Sequence, residues 1–185
     1  DMLRLIFTCC HPALAIEARV ALTLKTICGM ATTEIASAFI TPEKTLAQRL
    51  VRAKQKIRTA NIAYRVPDSA ELNDRLPGVL AVIYLIFNEG YLSSADGTVR
   101  HELTAQAIAL ARKLCSVLSE HVDAEALLAL MLLQNSRNEA RFYGGKLVLL
   151  ADQDRSLWDR AQIEEGTALV GKVFAAGAGN RRYAL

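Results

Sequence analysis

The sequence predicts an all-α protein, a helix-turn-helix followed by a helical bundle or α-solenoid-like extension. Three observations carry that expectation. Apolar residues recur at spacings of three and four almost throughout, with little alternation of period two. Capping and breaking residues interrupt that pattern at helix-length intervals. A basic amphipathic segment, opened by Thr41-Pro42, follows a short helical stretch and a tight turn.

The chain has 185 residues, of which 52% are hydrophobic, enough for one large or two small domains with real cores. Its longest apolar run, VLAVIYLIF at 79–87, is far short of the roughly 18 residues a membrane span needs. The sequence opens on Asp1 without a basic, signal-like region, and without Met, which leads us to expect an internal piece of something longer. Cys9, Cys10, Cys28 and Cys115 form no disulfide framework, so a reducing cytoplasm is the expected setting.

The first helix is expected from Leu14 or Glu17 to Cys28, with Val20, Ala21, Leu24, Ile27 and Cys28 inward and Gly29 as its left-handed terminator. A short helix follows, with Thr32 or Thr33 as cap, Glu34 in the first turn, and Ile35, Ala36 and Phe39 buried. Thr41 should cap the third, with Pro42 at its first position. That helix segregates Leu46, Leu50, Ala53 and Ile57 onto one stripe. Lys44, Gln48, Arg52, Gln55 and Arg58 fall opposite, with Arg49 and Lys56 on the flank. Residues 60–73 read as a boundary.

Beyond it, Asp74 should cap a helix with Pro77 in its first turn, carrying the 79–87 run and ending at Asn88-Glu89-Gly90. Further helices are expected over about 100–118, with Leu103, Ala107, Ile108, Ala111 and Leu114 inward, and from Asp123 through the run at 126–133. Gly144-Gly145 marks a turn, and Lys146–Leu150 suggests one short strand. A final helix is expected over 156–175, capped by Asp152 or Asp154.

Residues 41–58 hold six bases against one acid, Glu43, a local charge of +5 in a chain whose net is +3. A solvated basic face would explain charge alone. A cap, a turn and a preceding short helix instead make the layout of a helix-turn-helix. Lys44, Thr45, Gln48 and Arg49, toward the N-terminal half, would reach base edges; Arg52, Lys54, Lys56 and Arg58 would hold phosphates.

Cys9-Cys10-His11 invites a zinc hypothesis, but contiguous ligands cannot easily wrap an ion and no second cluster completes the set, so packing is the expected role and neither metal nor cofactor is. Glu89, Asp152 and Asp154 could in principle perform acid–base work; helix capping and ion pairing with Arg155 or Arg160 account for them without it. The expected mechanism is therefore non-catalytic.

EIASAFITPEKTLAQRLVRAKQKI resembles region 4 of bacterial sigma factors, on Glu34-Ile35-Ala36, Thr45, Arg49-Leu50, Arg52-Ala53 and Lys56, with Ile40 in the turn where that pattern often has glycine. RLIFTCCHPAL, YLIFNEGY and LLADQDRSLWDRAQIEEG are similar to an extracytoplasmic-function (ECF) subgroup with a long, tetratricopeptide-like helical extension. The resemblance implies a reader of the promoter −35 element and a partner of RNA polymerase core. It implies that the sigma region 2 preceding such a module and further extension helices are missing, with 177–185 as the loop and opening of the next helix. It also implies that Asp152, Gln153, Asp154 and Arg155 form a contact, within the protein or with a regulatory protein, through which the extension adjusts sigma activity. The expected domains are 1–62, a linker at 63–67, and an extension at 68–185. One rival is a one-component transcription regulator whose helical block senses a ligand; another is an enzyme using Glu89, Asp152 and Asp154.

Overall fold

The computed structural model describes residues 2–92, 101–118, 121–144, 146–179 and 182–183. Among them the helices are α1 (Met2–Cys9), α2 (Ile16–Thr26), α3 (Thr32–Ala38), α4 (Glu43–Thr59), α5 (Ser69–Leu92), α6 (His101–Val117), α7 (Val122–Asn135) and α8 (Arg160–Ala175). A hairpin of β1 (Phe142–Tyr143) and β2 (Lys146–Leu147) is the sheet among these residues, so the chain is all-α in class. Arg100, Gly145 and much of 180–185, where a helix start, a turn residue and a further helix were expected, lie outside the described residues.

Two compact units divide the chain, Asp1–Leu85 and Ile86–Leu185, with the division inside α5. Residues 62–68 hold no helix or strand, matching the composition there. The N-terminal part of α5 nevertheless belongs with the leading helices. Arg75 donates to the Phe7 carbonyl and lies over the Phe7 ring, 5.7 Å from its centroid. Gly78 lies where an added Cβ would come within 3.3 Å of Arg19 Nη1, a tight approach from which the guanidinium would have to shift by a few tenths of an ångström.

Several termini differ from expectation, because the residue with capping chemistry nearest a boundary is not always the one whose backbone starts the helix. Residues 2–9, read only as a leading segment, form α1, whose Ile6, Phe7 and Cys9 are buried. The cap of α3 is Ala31, not Thr32 or Thr33, because the Glu34 carboxylate accepts the Ala31 N–H. Pro42 rather than Thr41 caps α4; the Thr41 hydroxyl turns back to donate to the Phe39 carbonyl at 3.0 Å. Helix α5 starts five residues before Asp74, where Asp68 Oδ1 accepts the Glu71 N–H at 3.0 Å. Pro77 consequently lies inside the helix, a cost of about 3 kcal/mol borne by burial of Leu76, Val79, Leu80, Val82 and Ile83. Helix α7 is capped by His121, with Asp123 in its first turn. In place of a helix from 156, a 3-10 turn over 155–157 precedes α8, whose cap is Asp159, accepting the Gln162 N–H at 3.0 Å. Strand pairing within 146–150 is confined to Lys146 and Leu147.

In the second unit α7 packs against both α6 and α8. All five residues expected to face inward on α6 are buried, as are Leu127, Leu128, Met131 and Leu132 of α7. Two glycines sit where neighbouring helices approach closely. A Cβ on Gly90 would lie 2.8 Å from both Leu103 Cβ and Thr104 N, and one on Gly166 would lie 2.9 Å from Leu133 Cγ. Arg112 and Glu165 add a bidentate pair between α6 and α8, at 2.9 and 2.6 Å.

Candidate nucleic-acid interface

The first unit builds a helix-turn-helix from α3, the turn at 39–42, and α4. Gly29 ends the preceding helix region at φ +71°, the left-handed geometry glycine adopts cheaply. At the turn itself the corresponding position is Ile40, at φ +48°. The Thr41 N–H reaches the Ala36 carbonyl at 2.9 Å, so the reversal closes on backbone bonds despite the β-branched side chain. Ile40 is 93% exposed, leaving its side chain almost no packing to compensate for that geometry.

Leu46, Leu50 and Ala53 are buried and seat α4 on α2 and α3; Ile57 is half-buried. This leaves Lys44, Thr45, Gln48, Arg52, Lys54, Lys56 and Arg58 exposed and Arg49 half-buried. Among the described residues none of the six bases is ion-paired; the side-chain salt bridges there join Arg65 to Glu71 and Arg112 to Glu165. Thr45, Gln48, Arg49, Arg52 and Lys56 line one wall of a groove of about 340 Å³, with the chain entering α2 at Ala13 to Ala15 opposite. The N-terminus of α2 adds its partial positive charge to that side. Shape, charge and unpaired donors together suit a polyanion.

Sequence reasoning missed Val51, which is 66% exposed between Gln48 and Gln55 on the polar side of α4. Its helical position relative to Lys44, seven residues on, was a usable signal.

The Asp152–Arg155 segment shows divided roles. Asp152 is exposed at the end of a 3-10 turn. Gln153 is buried and donates to the Val148 carbonyl at 3.1 Å, tying the hairpin exit to the next turn. Asp154 caps residues 155–157, accepting Ser156 N–H at 2.9 Å and its hydroxyl at 2.7 Å, and these bonds hold its carboxyl below the usual range. Arg155 lies 5.5 Å from the Trp158 ring centroid. An acid kept ionised as a cap is a poor proton donor near neutrality, which weakens the acid–base reading of Asp154.

Cys9 and Cys10 lie in the core of the first unit; burial pushes their thiols up to about 11 and about 12, so they stay protonated. Cys10 Sγ lies 3.6 Å from Thr23 Oγ1. His11 Nδ1 accepts the Ala13 N–H at 3.1 Å, and burial, reinforced by Arg75 and Arg19, lowers its pKa. Among the described residues no three His, Cys, Asp or Glu side chains are grouped to hold a metal, and no helix is long and apolar enough to cross a membrane.

Residues 4–57 match the sequence model described as Sigma-70, region 4. Residues 75–174 match that of a family of unknown function, DUF6596. An uncharacterized protein of Rhizobium meliloti (strain 1021) is 41% identical over 177 residues, covering 94% of this chain and 42% of that relative. The chain thus spans less than half the length of the relative. No solved structure matches it.

Proposed function

Because the chain belongs to the DUF6596 family of unknown function and carries a Sigma-70 region 4 domain, a non-enzymatic module of promoter recognition and transcription initiation, we propose that it is part of an ECF-type sigma factor that reads a −35 element. The observation that carries this reading is α4, a helix-turn-helix second helix with six bases and no ion pair among the described residues. Lys44, Thr45, Gln48 and Arg49 meet base edges in the major groove, and Arg52, Lys54, Lys56 and Arg58 neutralise phosphates. RNA polymerase core is the second partner, the cytoplasm the setting, and the helical residues from 68 onward, tetratricopeptide-like in the wider family resemblance, adjust the activity. Asp152, Gln153, Asp154 and Arg155 supply a contact for that adjustment.

Fluorescence anisotropy with duplexes of varied −35 sequence, over a salt series, tests the reading. Arg49→Ala should cost about 1–3 kcal/mol on the preferred duplex and relax discrimination there; Lys56→Ala should weaken every duplex and lower the salt slope by about one. Uniform losses from both changes would refute the division of roles, and absence of salt-dependent DNA binding would refute the function. For the extension, Asp152→Lys is the cleaner probe, since Asp154 is committed to a cap. Unchanged promoter activity with an intact fold would remove the segment from regulation.

A further inference from the structure

The second unit holds two arginines that form no ion pair among the described residues. Arg137, just past α7, donates from Nη2 to Tyr91 Oη at 3.3 Å and to Gln134 Oε1 at 3.0 Å. Arg141 donates from Nη1 to the Tyr91 carbonyl at 2.8 Å and stacks on the Tyr91 ring, 3.6 Å from its centroid. One tyrosine therefore gathers both guanidiniums, and Phe87 braces it from α5 with a ring centroid 5.5 Å away. Burial, opposed by the neighbouring Tyr91 and reinforced by the Arg137 charge, holds the Arg141 pKa below its ordinary value.

Both side chains are half-buried, and among the described residues neither touches a carboxylate. Tyrosine and amide oxygens engage only part of each guanidinium, which has five N–H donors. Two like charges brought together at partial burial are unfavourable unless an anion joins them. The neighbouring surface is apolar. The Val148 N–H bonds the Arg141 carbonyl at 2.8 Å, closing the hairpin beneath this arginine. Phe142 pairs with Leu147 across it, which puts their side chains on one face, and Arg141 lies 5.4 Å from the Phe142 ring centroid. Leu147 on that face is 61% exposed.

We propose that Arg137, Arg141, Phe142 and Leu147 form a docking site for an acidic–apolar peptide segment of a partner protein. An aspartate or glutamate carboxylate bridges the two guanidiniums, and an adjacent hydrophobic side chain covers Leu147. Charge complementarity selects the acid, and the hairpin face selects a peptide over a free small anion. The site lies wholly in the second unit and does not depend on the promoter reading.

The test uses the full chain and a fluorescein-labelled peptide of Glu-Leu-Glu-Glu-Leu repeats, with a Gln-for-Glu peptide, sodium glutarate and inorganic phosphate as comparisons. The Glu peptide should bind, the Gln peptide should bind at least tenfold more weakly, and Arg137→Gln should weaken the Glu peptide by about tenfold, the loss of one charge-assisted contact. Leu147→Ser should weaken it by a smaller factor, and Arg137→Lys should restore only part of the loss, because a point charge lacks the fork. Arg141 also ties the hairpin to α5, so its variants are omitted in favour of these surface changes, with circular dichroism checking the fold. Binding insensitive to Arg137 and Leu147, equal binding of the Gln peptide, or binding of glutarate or phosphate alone would each overturn the proposal, as would no binding at all.

Discussion

Ile40 concentrates a testable backbone cost at one exposed residue. Its φ of +48° lies in the left-handed region, where an L-residue costs about 1–2 kcal/mol and a β-branched one is a marked outlier. Because the side chain is 93% exposed, replacing it forfeits little buried apolar area. Ile40→Asn should therefore stabilise the first unit by about 1 kcal/mol, since asparagine tolerates this conformation. Ile40→Gly should gain somewhat less, because added unfolded-chain freedom removes about 0.4–1 kcal/mol. Ile40→Val keeps the β-branch and should change nothing. For a unit of this size, 1 kcal/mol corresponds to a rise in Tm of roughly 4–8 °C. Calorimetry of the full chain gives the shift, and hydrogen exchange at the Thr41 amide, bonded to the Ala36 carbonyl at 2.9 Å, localises it. A loss of stability in Ile40→Asn, or an equal gain in Ile40→Val, would show that the turn carries no relievable strain. Affinity for duplex DNA should be preserved in Ile40→Asn, as the reversal into α4 is unchanged.

Three further outcomes follow from the same geometry. Gly90→Ala should destabilise the second unit by about 1–3 kcal/mol in urea denaturation, since the new Cβ meets a backbone nitrogen at 2.8 Å that cannot swing away. Asp159→Ala should cost about 1 kcal/mol by the same measurement, whereas Asp123→Ala, inside the first turn of α7, should cost less. The buried thiols of Cys9 and Cys10, raised by burial to about 11 and about 12, should react with a disulfide reagent at pH 8 only on unfolding. Their folded pKa values exceed the unfolded value of 9.0, so the stability they contribute is complete below pH 9 and is lost as pH rises through 11 to 12. A Tm that climbed over that window would contradict this assignment.

Much of the fold was legible because helical periodicity is a local property. The stripe Leu46, Leu50 and Ala53 and the α6 face from Leu103 to Leu114 are buried where their spacing placed them. The basic side of α4 follows from the same period, since seating one face on α2 and α3 exposes the other. Capping residues were less legible. Thr41 and Pro42, Asp68 and Asp74, or Asp154 and Asp159 offer comparable local chemistry, so residue type alone does not select between them. The start of α5 shows this best: a proline nine positions in would ordinarily end a helix, yet Arg75 anchors to Phe7, sixty-eight residues away, and the core tolerates Pro77.

By itself, then, the sequence determined the all-α class, the helix-turn-helix grammar and the charge available to meet a polyanion. Those depend on residues within a few turns of one another. Tertiary structure alone decided that Gln153 turns inward while Asp152 stays out, that Ile40 accepts a left-handed backbone, and that α5 is divided between two units. It also brought Arg137 and Arg141 onto Tyr91, some fifty residues earlier in the chain. No local pattern encodes such a pairing, because it arises only when separate helices bury their faces together.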